Sequence, residues 1–474
     1  MPKRHLIRTA VLTAAATALV ATSAVSPALA HGGDGRDDRD DRGNHDQERD
    51  RHKDERKHPR SAGPEDINGY RAVGYLMADT PVTRDYQIED LFITGAIKDI
   101  THINYAFGNV TSNLTCEITN TPGEGDAQND YLRLVSAADS VDGKKDSKNQ
   151  RLAGNFNQLL KLKEKSPDTK ILVSLGGWTW SDNFAAAAAT PESRAKLVSS
   201  CIDVYLKGNL PVVGKQGGKG VAKGIFDGID IDWEWPVTGG EVPSSSPDPS
   251  VDKENFLALM EEFRTQLDAY GKKTHEDYLL TAFAPAGGWN AGQGGWLDPR
   301  LFASVDFLNV QGYDFHGGWV PTKTGHQGNL HPDGTENWGL GLDGAVGMYL
   351  NAGAAPEQLN AGLAAYGTGW TGVTVGDDAW QPATGWIGTK PYYDLREVGT
   401  GYFDPAVGAS WRYDAATGDW WSLDDPTSVT AKAEWLAQAG YGGAMWWDLS
   451  GDYRNELGDS LGDALRNAPE GPLD

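Results

Sequence analysis

From about Arg71 onward, short apolar runs alternate with amphipathic stretches whose apolar positions recur at helical spacing. The runs Ala72–Leu76, His102–Phe107, Lys170–Leu175, Gly224–Trp235, Tyr278–Ala284, Phe307–Gln311, Leu359–Ala365 and Gly442–Trp447 read as strands. Asn155–Lys165, Pro191–Leu206, Lys253–Tyr270 and Val429–Ala439 read as helices lying between several of them. Eight strands with intervening helices in roughly four hundred residues predict an α/β chain folded as a (β/α)8 TIM barrel. A doubly wound open sheet is the alternative, but no glycine-rich phosphate loop follows a strand.

Two intervals are too long for simple barrel connections. Gly108–Leu152 is polar and reads as loop with little regular structure. Residues 367–426 carry Trp386, Tyr392, Tyr393, Tyr402, Trp411, Tyr413, Trp420 and Trp421 at hairpin-like spacing, which reads as a small α+β insertion after strand seven. Insertions after barrel strands land on the C-terminal face, where active sites of this architecture sit, so this one would deepen a groove.

The fourth strand carries the most chemistry. In Asp227-Gly228-Ile229-Asp230-Ile231-Asp232-Trp233-Glu234, the last three acids stand two apart and would share one side of a strand, with Ile229, Ile231 and Trp233 on the other. Like charges so crowded cannot all ionise at their ordinary pKa. That suits a catalyst needing one carboxyl protonated near neutral pH. A Mg²⁺ site is the chemical competitor. Asp227, at a different register, reads as a structural residue.

The stretch 227–234 resembles the Asp-x-x-Asp-x-Asp-x-Glu signature of family 18 glycoside hydrolases, the chitinases. Three more segments resemble that family in order: Ser174-Leu175-Gly176-Gly177 with Trp178, Tyr313-Asp314 after the sixth strand, and Gly442-Gly443-Ala444-Met445-Trp446-Trp447-Asp448. The likeness runs from about Ala72 to the C-terminus and is greatest to bacterial secreted chitinases with an insertion after strand seven. It implies a metal-free, cofactor-free hydrolase of β-1,4-linked N-acetylglucosamine polymers. Most glycosidases use an acid and a second carboxylate across the sugar ring, whereas Asp232 and Glu234 are neighbours. The resemblance implies a substrate-assisted, retaining route instead, in which the sugar's N-acetyl carbonyl attacks its own anomeric carbon to form an oxazolinium.

It also implies roles. Glu234 is the acid and then the base, Asp232 orients the acetamido group, and Asp230 shares a proton with Asp232. Tyr75 and Ser174 hydrogen-bond around the inner aspartate, and Tyr313 holds the acetyl oxygen. Trp447 floors the sugar site and Asp314 lies near the acetamido group. Trp178 and Trp319 are expected along the groove, while about half of Trp180, Trp235, Trp289 and Trp446 are expected in the core. Many relatives of this type have Met two residues before the tyrosine, where this chain has Gln311, a hydrogen-bonding side chain beside the substrate. The rivals are an endo-β-N-acetylglucosaminidase acting on N-glycans and a non-catalytic chitin-binding lectin. The inserted subdomain argues against the first, and the presence of Glu234 against the second.

The chain's outer features fit export. Lys3, Arg4 and Arg8, the apolar stretch Ala10–Val25 and Ala28-Leu29-Ala30 read as a secretory signal peptide over residues 1–30. Its loss takes the net charge from −24 to −27, by removal of three cations, which disfavours nucleic acid or anionic membrane as partner. Residues 31–65 are mostly charged and read as a disordered linker ahead of the domain at 66–474. His31, His45, His52 and His58 give that linker a conceivable metal-binding role, the less favoured reading. Seventeen Trp and seventeen Tyr serve either a core or sugar stacking. Cys116 and Cys201 read equally as a disulfide or as two buried thiols. The whole reads as a secreted, extracellular, monomeric enzyme acting on chitin and chitooligosaccharides.

Overall fold

A computed structural model describes residues 63–64, 66–240, 248–334 and 336–473; the expected signal peptide and nearly all of the charged linker lie outside them. Eight parallel strands close on themselves: β1 (Arg71–Met77), β2 (His102–Gly108), β3 (Lys170–Gly176), β4 (Gly228–Asp232), β5 (Leu279–Ala284), β6 (Phe307–Val310), β7 (Leu359–Ala364) and β8 (Gly443–Trp447). Each pairs with its neighbour in sequence, and β8 returns to β1. β4 and β7 are buried throughout, although β4 carries Asp230 and Asp232 and β7 carries Asn360.

The helices α1 (Gly154–Lys165), α2 (Pro191–Cys201), α3 (Asp252–Thr274), α4 (Leu342–Ala352), α5 (Pro426–Ala439) and α6 (Glu456–Arg466) lie between and after the strands. Local chemistry fixes their starts. Thr190 caps α2 and exchanges hydrogen bonds with Ser193, while Asp425 does the same with Ser428 at α5, each with proline at the first turn. Beyond Cys201, α2 continues as one wider turn, Ile202–Leu206. Among the described residues no helix is long and apolar enough to cross a membrane.

Between β7 and α5, strands Tyr366–Thr371, Gly385–Pro391, Thr400–Asp404, Ala409–Asp414 and Asp419–Leu423 form an antiparallel sheet with a one-turn helix, Tyr392–Leu395. It has a small core of its own around Trp370, Trp411 and Trp420. His316 and His326, from the connection after β6, stack into that core against Trp370 and Trp411 at 5.2 and 5.4 Å. The buried Lys432 of α5 binds Asp424 and the Gly328 carbonyl, so one cation fastens the sheet and this connection to the barrel.

Three local expectations change. The fourth strand is shorter than Gly224–Trp235, because the Asp227 carboxylate turns away to Lys163 Nζ (2.8 Å) and the Ile171 amide (2.8 Å) at one end. At the other end the Glu234 amide leaves the ladder for Ser181 Oγ, 2.9 Å. Residues 311–341 form a third long connection, and Leu210–Val213 pairs with Gln216–Gly218 as an exposed hairpin. Neither has a periodicity that separates it from loop. Cys116 and Cys201 are joined, which ties the loop after β2 to the end of α2.

This disulfide closes a separation of 85 residues. Constraining the unfolded chain over such a loop stabilises by about 2–4 kcal/mol. The Cys116→Ser/Cys201→Ser double variant should therefore melt several degrees lower in calorimetry with its activity at room temperature kept; an unchanged melting temperature would remove the disulfide from the stability account.

Candidate active site

The register of the barrel sets Ser174 of β3, Asp230 of β4 and Thr281 of β5 side by side. Asp230 is fully buried and accepts hydrogen bonds from Tyr75 (2.8 Å), Ser174 (2.7 Å) and Thr281 hydroxyls. Burial raises its pKa and these donors pull it back down. Asn104, buried on β2 opposite Tyr75, lies against the same group.

Asp232 sits one pleat further on and is 2 % exposed. Its carboxyl is hydrogen-bonded to Glu234, and burial, then the charges of Glu234 and Asp230, hold it well above the ordinary carboxylate range. Glu234 is half-buried and pushed up to about 8, first by loss of water and then by the Asp314 charge, partly offset by the Asp232 hydrogen bond. Two carboxyls in that contact bind their protons as a unit. Asp232 is thus in contact with Glu234 and under the charge of Asp230, whose own oxygens accept three hydroxyls. Asp232 Oδ1 is buried and receives no hydrogen bond from an N–H or hydroxyl of the protein.

The loop after β3 fixes this pair. The Gly177 amide binds the Asp232 carbonyl (2.8 Å), and Ser181 Oγ takes the Glu234 amide while donating to the Gly177 carbonyl (2.9 Å). Gly176 and Gly177 have φ of +108° and +77°. A Cβ on them would stand 2.4 Å from the Asp232 carbonyl oxygen and 2.5 Å from the Phe107 ring. Only glycine fits both demands at these positions.

Above the carboxyls lies a cleft walled by Met77, Phe107, Trp178, Phe283, Gln311, Tyr313, Asp314 and Trp447. Trp447 stacks on Phe107 at 5.8 Å and lies 5.4 Å from Tyr75. Tyr313 stacks on Phe283 at 6.3 Å, and the nearest acceptor to its hydroxyl is the Met445 sulfur at 3.9 Å. A thioether is a weak acceptor, so this O–H is still available to a ligand. Asp314, at φ +59°, accepts the Tyr366 hydroxyl at 2.6 Å. Gln311 Oε1 meets the Ala286 amide at 3.5 Å, and the Trp178 Nε1 is buried without a partner. A carboxyl that stays protonated at the edge of an aromatic cleft is equipped to protonate a leaving group.

Residues 71–452 match the family described as glycosyl hydrolases family 18. The chain belongs to that family. It is similar to chitinase C of Streptomyces lividans, 36% identical over 81% of this chain and 57% of that protein. It is likewise similar to chitinase A1 of Niallia circulans, 31% identical over 84% of this chain and 59% of that one. The chain thus spans somewhat under 60% of the length of these two relatives. Among solved structures, the catalytic domain of psychrophilic chitinase B from Arthrobacter TAD20 superposes with a TM-score of 0.82 at 46% identity, covering 88% of this chain and 99% of that one.

Of the residues singled out in the sequence of this family 18 barrel, Asp232, Glu234, Trp178, Gln311, Tyr313, Asp314 and Trp447 line one cleft. Tyr75, Ser174 and Asp230 lie beneath it. Trp319 does not line this cleft: its ring folds back over Gly317 and stacks on Trp338 at 6.4 Å. Trp235 and Trp446 are core, whereas Trp289 is 70 % exposed and Trp180 half-buried. Thr281, Asn104, Ser181, Phe107, Phe283 and Tyr366 were missed. Thr281 and Asn104 had a signal, each being a lone polar residue in an apolar run. The others act through positions that only the fold brings together.

Each hydroxyl on Asp230 counters its burial. Thr281→Val should raise the Asp230 pKa further and lower folding stability by about 1–3 kcal/mol, read by chemical denaturation. A variant as stable as the parent would show that Tyr75 and Ser174 suffice.

Proposed function

We propose that this chain is a chitinase that hydrolyses β-1,4-linked N-acetylglucosamine polymers with retention, through the substrate's own N-acetyl group. The observation that carries this reading is the pairing of Asp232 and Glu234 on one side of an aromatic cleft, where Asp232 Oδ1 is buried and receives no N–H or hydroxyl donor from the protein. The two are too close together to attack a sugar from opposite faces. Similarity to proteins named chitinase C and chitinase A1 supports the same substrate class.

On this reading Glu234 gives its proton to the glycosidic oxygen as the C–O bond breaks. The acetyl carbonyl closes onto the anomeric carbon, and Glu234 then deprotonates the water that opens the oxazolinium. Intramolecular attack of this kind gains an effective molarity on the order of 10⁵ M or more. Asp232 turns its free oxygen to the acetamido N–H, which steers the carbonyl and balances the positive ring. Asp230, anchored by three hydroxyls, is the charge toward which Asp232 turns when it leaves Glu234. The Tyr313 hydroxyl donates to the acetyl oxygen, and Trp447 supplies the flat apolar floor beneath the sugar. The amino-terminal charge and apolar pattern support export, with the enzyme acting outside the cell as a monomer.

Glu234→Gln should lower kcat on N-acetylglucosamine hexamer by roughly 10²–10⁴-fold or more while oligosaccharide binding persists. Wild-type turnover in that variant would overturn the assignment. Products should emerge first as the β-anomer; initial α-anomer would contradict retention. The rate should also fall on the alkaline side with an apparent pKa of about 8, because the acid form of Glu234 is the active one.

A further inference from the structure

Tyr366 is the first residue of the inserted sheet and stands two residues beyond the end of β7. Its backbone is fixed from several sides. The Gln327 amide group donates to its carbonyl at 2.8 Å, its strand pairs with Gly385–Pro391, and the Gln327 backbone amide is held by Ser422 Oγ at 2.9 Å. Gln327 is itself 1 % exposed. The ring packs edge-on against Tyr313 at 6.0 Å, and the hydroxyl ends on Asp314 Oδ1 at 2.6 Å. Asp314 in turn lines the same cleft as Glu234, and its charge disfavours ionisation of Glu234 there.

We propose that Tyr366 is a positioning residue for the acid step: its hydroxyl donates to the Asp314 carboxyl in the cleft that Asp314 shares with Glu234 and favours the charged form, so that the insertion governs the alkaline limit of the reaction. The assignment rests on the reading of Glu234 as the acid.

The titratable groups around this corner are mostly acidic, with Arg84 paired to Asp448 at 3.2 Å and Lys432 paired to Asp424 as the cations. Asp232 and Glu234 come from β4 and its end, Asp314 and Tyr313 from the connection after β6, Asp448 from the end of β8, and Asp424 from the end of the insertion. Burial favours the neutral form of Asp314, and the Tyr366 hydroxyl opposes this by donating to the charged form. Without that donor Asp314 takes up a proton more readily. Its charge then no longer disfavours ionisation of Glu234, and Glu234 loses its proton at lower pH. The predicted effect is therefore a shift along the pH axis, which damaged packing alone would not produce.

Tyr366→Phe keeps the ring and removes the donor. In wild type, Tyr366→Phe, Asp314→Asn and the double variant, kcat/KM on N-acetylglucosamine oligomers is measured across pH. Isotope-edited infrared titration of Glu234 is run on the same proteins without substrate. The expected result is an alkaline limb and a Glu234 midpoint displaced downward by roughly half a pH unit or more in each single variant. The double variant should show no further displacement. A Tyr366→Phe enzyme whose limb and midpoint stay at the wild-type pH, or a fully additive double variant, overturns the proposal. If Tyr366→Phe does not fold, an unmoved midpoint in Asp314→Asn overturns it equally. Wild type inactive on these oligomers would instead refute the chitinase reading, while the infrared midpoints still decide the role of Tyr366.

Discussion

Three carboxyl groups drawn progressively out of water along one short strand and its outer end set the terms for the rest of this barrel. Isolated, each would neutralise or open the fold to solvent. The innermost, Asp230, is answered by hydroxyls from β1, β3 and β5, so the strands that close the barrel also satisfy its charge. The middle one, Asp232, finds only Glu234. The outermost stands where the strand has ended and the cleft begins. Solvation falls off inward along the row, and affinity for a proton is greatest where no hydroxyl is left to donate. The reaction proposed for this site uses that gradient: one group anchored, one free to turn, one able to release a proton outward.

Everything around the row limits how far these groups can move. Ser181 joins the backbone after β3 to the backbone after β4. Gly176 and Gly177 allow that approach because no side chain stands between. The inserted sheet has its own tryptophan core, against which His316 and His326 of the connection after β6 pack, and Lys432 pins it to α5. Through Tyr366 the same sheet touches Asp314. The insertion is therefore more than a rim deepening a groove, since its first residue is one hydrogen bond removed from the charge beside Glu234.

The sequence carried the barrel because strands buried on both faces leave mostly apolar runs, and β1, β2, β3 and β8 begin or end within one residue of those runs. It carried Asp230 and Asp232 because the two-residue period of a strand survives in the order of residues. Glu234 obeyed that spacing but lies beyond the ladder, held by Ser181 at a distance of 53 residues in sequence that no local pattern encodes. Thr281 was visible only as a polar residue in an apolar run, and its partner became evident once β4 and β5 were in register. Trp319 shows the converse. Its position after β6 was informative, but the fold of a long aperiodic connection decides where such a ring points. The disulfide was open for the same reason, because pairing depends on a contact between two loops.

Acid catalysis at this site requires the outer carboxyl to keep its proton near neutral pH. Carbon-13 NMR titration of the Glu234 side-chain carboxyl in the unliganded protein, assigned through Glu234→Gln, reads this directly. Burial and the Asp314 charge, partly offset by the Asp232 hydrogen bond, predict a midpoint near 8. A midpoint near the ordinary glutamate value of about 4.3 would mean that the row is solvated and ionised, and would contradict the account.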